Sequence, residues 1–251
     1  MAAPLKYFTG IGSRETSPEL LQVARSLARK LVGERGYGLR TGEASGADWA
    51  FGAGGLEGFT KLAKTNPNVR LEDLVELYTP LSPSPARIQA LHSQLRKVTR
   101  TPDIKNKKQL EELLSLLIEN HPGNVPRRLS PKTGIPFAAT TPKWKYHFRN
   151  PLQLLGGGLD KPSDFVLATL ADEFYTGGVK RGVKLKPRDP ALMGGTGQNL
   201  RIAMKKDIPV VVLNKQVAPE KRAKMLPRLM KSNPDIDWEA LFNYLAAGYT
   251  K

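Results

Sequence analysis

Along this chain, short continuous apolar stretches alternate with longer ones in which apolar residues recur at three and four positions. These are the signatures of buried strands and amphipathic helices. Lys6 to Phe8 form a β-prone stretch that runs straight into Gly10-Ile-Gly-Ser-Arg14. Ser17-Pro-Glu then opens a helix, with Ser17 as N-cap and Pro18 as its first residue. Leu20, Leu21, Ala24, Leu27, Ala28 and Leu31 mark its apolar face, and the pattern predicts an end near Gly33. The sequence repeats at once, with Tyr37 to Thr41 as strand, Gly42 to Asp48 as loop and Trp49 to Ala53 as the start of a second helix. A third strand is expected over Glu76 to Pro80, ahead of the Pro-rich Ser82 to Pro85.

The pattern then changes until about Asn150. A helix is predicted from Lys108 to Glu119, with Lys108, Glu111 and Glu112 on a solvated face, and a basic Pro-rich stretch follows from Pro122 to Pro136. Next comes the aromatic and basic run Lys143-Trp-Lys-Tyr-His-Phe-Arg149. Asp164 to Leu170 is a continuous apolar run suited to a central parallel strand. After a loop rich in Lys and Arg (Lys180, Arg181, Lys184, Lys186, Arg188), Gly194-Gly-Thr-Gly197 leads into a helix from Gln198 to Lys206, and Ile208 to Leu213 reads as a further strand. Helical segments near Glu220 to Lys231 and Trp238 to Ala247 close the sequence; Trp238, Leu241, Phe242 and Leu245 serve packing or a contact between copies. The expected fold is α/β: a Rossmann-like parallel sheet flanked by helices, in a single domain spanning 1–251. It carries a basic, partly helical insertion at about 82–150 and a helical extension at about 216–251.

A parallel α/β sheet binds ligands at the carboxyl ends of its strands, where each loop feeds a helix N-terminus with free N–H groups. Three Gly-rich loops fall there. In the first, Gly10 and Gly12 allow close approach of a phosphate, Ser13 offers a hydroxyl and Arg14 a bidentate fork. In the second, Gly42 and Gly46 permit tight turns, while Asp48 either accepts from a ribose hydroxyl or caps the helix. In the third, Gly194, Gly195 and Gly197 surround Thr196, followed by Gln198 and, one turn from Thr196, Arg201. There is no Walker lysine motif, and Glu15 replaces the third glycine of a G-x-G-x-x-G fingerprint, so ATP hydrolysis and nicotinamide chemistry lose weight. No cofactor is implied.

Charge narrows the partner. With 39 Lys and Arg against 23 Asp and Glu, the net charge is +16, and the isoelectric point is near 10.0, which favours a polyanion through counter-ion release. The run containing Lys143, Trp144, Lys145, Tyr146 and Arg149 has the composition of a single-strand platform, in which bases stack on rings and cations track phosphates. The alternative is that its aromatics plug the insertion into the core. Lys180 and Arg181 add to the basic surface. Cysteine is absent and the three histidines, His92, His121 and His147, are not spaced as ligand pairs, so thiolate and transition-metal sites are not expected. The sequence shows no signal peptide and no apolar run of membrane-spanning length, which predicts a soluble protein of a reducing, cytoplasmic compartment.

Five motifs in order carry a resemblance: Gly10-Ile-Gly-Ser-Arg14, Leu39-Arg-Thr-Gly42, Ser45-Gly-Ala-Asp48 with Ala50-Phe51, Pro162-Ser-Asp-Phe-Val-Leu-Ala168, and Gly194-Gly-Thr-Gly-Gln198 with Ile208-Pro-Val210. Over about 6–54 and 150–214 the chain resembles the Rossmann-like domain of the DNA-processing protein A family, above all its compact, phage-type relatives. The same superfamily contains the lonely-guy phosphoribohydrolases. The resemblance implies binding of single-stranded DNA or a nucleotide through these loops; in recombination mediators such a domain helps load the recombinase. The chain departs from the pattern at Glu43, where the family usually has glycine, and at Gly52, where an acidic residue is common. Met193 precedes Gly194-Gly195, so the Pro-Gly-Gly-x-Gly-Thr signature of the phosphoribohydrolases is missing. The readings are therefore a nucleic-acid-binding module, a nucleotide sensor or nucleoside-phosphate hydrolase with Glu43 as candidate acid/base, and a DNA-associated virion protein.

Overall fold

The structure, a computed structural model, describes residues 5–80, 91–100, 107–120, 142–170, 179–180, 183–184 and 194–213, with isolated positions at 86, 89, 227 and 230. The elements in chain order are β1 (Tyr7–Gly12), α1 (Pro18–Arg35), β2 (Gly38–Gly42), α2 (Ala47–Thr65), α3 (Leu71–Leu74) and β3 (Val75–Tyr78). They continue with α4 (Ser93–Lys97), β4 (Thr99–Arg100), α5 (Lys107–Asn120), α6 (Pro142–Leu155) and β5 (Phe165–Thr169). Then follow β6 (Val179–Lys180), β7 (Val183–Lys184), α7 (Gly194–Lys205) and β8 (Val210–Val212). Six strands form one parallel sheet in the order β4-β3-β2-β1-β5-β8, and β6 and β7 make a separate antiparallel hairpin. This is the expected α/β, Rossmann-like arrangement. The predicted C-terminal helices, including Trp238, Leu241, Phe242 and Leu245, lie outside the described residues.

Alternation along each strand sends side chains to two helical layers. Phe8, Leu39, Val75, Leu77, Phe165, Leu167 and Val211 pack with α1 and α2 in one core. Ile11, Tyr78, Val166 and Ala168 pack with α5, α6 and α7 in the other. The segment at about 82–150, given above as an insertion, contributes to the sheet layers. It supplies the edge strand β4 and two of the helices that cover the second sheet face. A two-residue strand leaves no periodic trace in sequence, which is why β4 was not expected.

Helix boundaries follow cap chemistry. Ser17 accepts the Leu20 N–H and Pro18 occupies the first turn. The helix continues past Gly33 to Arg35 and stops at Gly36, whose φ of 67° places it in the left-handed region. Gly33 is a packing residue: a Cβ there would lie 2.9 Å from the Gly58 carbonyl oxygen. Gly58 would in turn meet the Arg29 carbonyl, and Gly54 the Arg25 carbonyl, so α1 and α2 touch backbone to backbone.

The second face carries an unexpected buried ion pair. Arg40, 2% exposed, donates from Nε to Glu76 Oε2 at 2.8 Å and lies 4.2 Å from the Tyr7 ring centroid. The Tyr78 hydroxyl donates to the same carboxylate oxygen at 2.8 Å, and Arg100 sits 3.3 Å from its other oxygen.

The helix contact yields a direct test. Alanine at position 54 gains about 1 kcal/mol of intrinsic helix propensity over glycine. The obstacle is a backbone carbonyl that cannot swing aside, and overpacking of this kind costs roughly 1–3 kcal/mol. Gly54→Ala is expected to lower the urea midpoint, for a net loss of up to about 2 kcal/mol; a raised midpoint would mean the helices separate freely.

Candidate anion-binding site

β1 is the switch strand. The β1–α1 and β2–α2 connections leave toward one helical layer, while the chain after β5 returns through α7 on the other. The crevice of such a sheet opens at the carboxyl ends of β1 and β5. Here the Ser13 N–H donates to the Thr169 carbonyl at 3.0 Å, and the Thr16 and Thr169 hydroxyls are 2.9 Å apart. The second loop is built onto the first: the Ala47 N–H donates to the Ser13 carbonyl at 3.3 Å. Gly46, at φ 86°, lies so close to Ser13 and Arg14 that a Cβ would be 2.8 Å from the Arg14 Cα. The structure therefore brings Gly12, Ser13, Arg14, Gly46 and Asp48 together.

The glycines expected to admit a phosphate mostly admit protein instead. The space over Gly10 is filled by the Phe51 ring, that over Gly12 by Thr169 and Ala47, and that over Gly42 by Asp48, Arg149 and Gln153. What faces outward is the rim: Arg14 and Ser45 are exposed, and Ser13, Gly46, Gly195 and Thr196 are half-buried.

Beneath this rim lies a buried charge cluster. From α6, Arg149 Nη2 donates to Asp48 Oδ2 at 3.0 Å, and Nη1 donates to Glu43 Oε2. All three residues are buried; Glu43 is 1% exposed. Trp49 Nε1 donates to the Glu43 carbonyl at 2.7 Å, holding the loop backbone. Burial pushes the Asp48 pKa up to about 7, against the pull of the Ala44 and Gly12 backbone and of Arg14. Burial also pushes Arg149 down to about 9, with Arg14 adding repulsion, which leaves it protonated at neutral pH.

Three of the expected site residues lie inside. Glu43, the candidate acid/base, is turned inward onto Arg149. Asp48 is buried with its carboxylate on Arg149. Arg149 is an internal cation, and Phe148 and His147 beside it are buried too, so this half of the aromatic run belongs to the core. The reason is common to all: the run forms helix α6, and a helix laid on a sheet face must turn one side inward. Lys143, Trp144, Lys145 and Tyr146 lie on the first turns of α6 and Lys180 in β6, but their side chains, like Arg181, are outside the described residues.

The third loop proves to be helix. Gly194, Gly195, Thr196 and Gly197 form the first turn of α7, four residues earlier than expected. Asn150 Nδ2 donates to the Gly195 carbonyl at 3.2 Å and to Gln198 Oε1 at 2.8 Å. His147 Nδ1 lies 2.7 Å from the same Gln198 oxygen, and Asn199 Nδ2 donates to Gln153 Oε1 at 3.0 Å. Adjacent residues of α6, Arg149 and Asn150, thus reach the second and third loops. Gly197 and Gln198 are buried and Arg201 is half-buried. His147, Asn150 and Gln153 were not singled out as linking residues; their spacing of three within a helix was the available signal.

Comparison of the chain with protein-family models, curated proteins and solved structures gives no match. Among the described residues, no group of three or more His, Cys, Asp or Glu is arranged to hold a metal ion, and no helix is long and apolar enough to cross a membrane.

The cluster has two measurable consequences. Arg149→Met leaves two buried carboxylates without their counter-charge and is expected to cost about 3–5 kcal/mol in urea unfolding at neutral pH. A folded-state pKa raised above the unfolded value means that Asp48 contributes stability fully below about pH 4, progressively less as pH rises, and none above about 7. Asp48→Asn is expected to flatten that decline; a variant with the wild-type pH profile would show that Asp48 is not the group titrating.

Proposed function

We propose that this chain is a nucleic-acid-binding protein of the DNA-processing type, taking single-stranded DNA by its phosphates along the rim of the Rossmann-like sheet. The observation that carries this reading is the junction of the first two loops, where Ser13, Arg14 and Ser45 bring two hydroxyls and a guanidinium to one edge. The net charge of +16 supplies the long-range attraction. The order of motifs that resembles the DNA-processing protein A family supports the same choice. Binding is favoured over hydrolysis because the carboxylates nearest the rim, Glu43 and Asp48, are engaged by Arg149.

Fluorescence anisotropy with an oligothymidylate tests the reading. Affinity is expected to fall steeply between about 50 and 200 mM salt. Arg14→Ala is expected to weaken binding by roughly tenfold, uniformly across sequences, and to reduce the salt slope by about one. Absence of binding at low salt would overturn the proposal; release of free base from nucleoside phosphates would replace it with an enzymatic one.

A further inference from the structure

An aromatic ring lies beside the rim. Among the described residues, the aromatic side chains left half-buried are Tyr7, Trp49 and Phe59. Tyr7 opens β1 at the amino edge of the sheet, stacked with Arg40, and Phe59 lies in the second half of α2. Trp49, in the first turn of α2, stands at the carboxyl edge, where the crevice of such a sheet opens. A helical side chain leans back over the turn before it. The bond from Trp49 Nε1 to the Glu43 carbonyl, 2.7 Å long and reaching six positions back, fixes the indole along the second loop. That loop carries exposed Ser45 and half-buried Gly46, and Gly46 abuts Ser13 and Arg14. The geometry points to Trp49 as the base-stacking platform of the rim: its indole takes one nucleobase of a single strand whose phosphates lie along Ser13, Arg14 and Ser45. This inference rests on the reading of the rim as a phosphate site.

The ring is prepared for stacking. Part of it packs against the core that α1 and α2 share with the sheet, and its edge is pinned by the hydrogen bond, so a ligand meets an indole already in place. The sheet-facing side of the same turn is filled by Phe51, which is 0% exposed and covers Gly10, so Trp49 stays at the margin of the core. The one polar group of the indole is engaged by the Glu43 carbonyl. What it leaves to solvent is therefore hydrocarbon and π surface, which suits the flat face of any base and reads no sequence. A duplex keeps its bases stacked on one another and has no free face to offer; a single strand does. His147 and Phe148, from the run expected to supply such a platform, are inside.

Abasic DNA separates the bases from the phosphates. Anisotropy is measured at low salt with oligothymidylate and with an abasic oligodeoxynucleotide of the same length, which carries the same phosphates. The wild type is expected to bind oligothymidylate tighter than the abasic strand by about fivefold or more. Trp49→Leu is expected to erase that preference, and Trp49→Phe, which keeps a ring without the N–H, to retain most of it. A preference that persists in Trp49→Leu overturns the assignment to Trp49. Equal binding of both strands by the wild type overturns stacking and leaves the phosphate site standing. Binding of neither strand refutes the rim as a DNA site, and this inference with it. Fluorescence supplies a second readout: oligothymidylate, and not the abasic strand, is expected to quench the tryptophan emission of the wild type, and Trp49→Phe is expected to lose that component. Quenching undiminished in Trp49→Phe overturns the proposal even where Trp49→Leu fails to fold.

Discussion

A guanidinium carried by α6 and gripped by two carboxylates from the end of β2 and the start of α2 is the interaction on which this architecture turns. α1 and α2 are tied to the sheet mainly by apolar packing. The second layer is different, because the sheet face that α6 covers carries buried Thr9, Arg40 and Glu76 beside apolar Ile11. Taking an arginine and two acids out of water costs several kcal/mol per ion unless the geometry returns it. Here Arg149 meets both Asp48 and Glu43, so one guanidinium serves two carboxylates. Such a pair is weak evidence for stability and better evidence for register: α6 has few positions at which all of these contacts form together.

The same logic extends down the sheet. Thr9 Oγ1 donates to the Gln153 carbonyl at 2.6 Å and meets Ser163 Oγ at 2.8 Å. Farther down, Arg40, Glu76 and Tyr78 close the band. Polar contacts therefore run along the underside of α6 from the β3 edge to the rim. Over β5, where Val166 and Ala168 face α7, the same face is apolar. A helix resting half on polar and half on apolar surface is held against sliding in both directions, since a shift strands a charge on one side or opens a void on the other.

Which features the sequence revealed follows from this division. The α1/α2 half was legible almost residue by residue, because Ser17, Pro18 and the spacing from Leu20 to Leu31 each act locally, and the apolar run of β5 is bounded by its own neighbours. Gly33 was misread as a helix stop since a glycine that ends a helix and one that admits a neighbouring backbone look alike until the neighbour, Gly58, is known. The polar half was not legible. Arg40 sits in the middle of a strand, and nothing within ten residues announces Glu76; Arg149 lies in a run whose composition suggested an outer surface, and its partners are about a hundred positions away. Charges read from sequence default to solvent, and only the sheet reveals which of them meet.

For the rim, the consequence is that its chemistry lies in fewer residues than its glycines suggest. Glycines recur at loops of this kind because three demands coincide there: a left-handed turn, a close approach by a neighbouring element and a close approach by a ligand. At Gly10, Gly12 and Gly42 the neighbouring element takes the space, and at Gly46 the turn and the first loop do. What faces outward at the junction of the first two loops is Ser13, Arg14 and Ser45, beside an interior that carries two acids and one base.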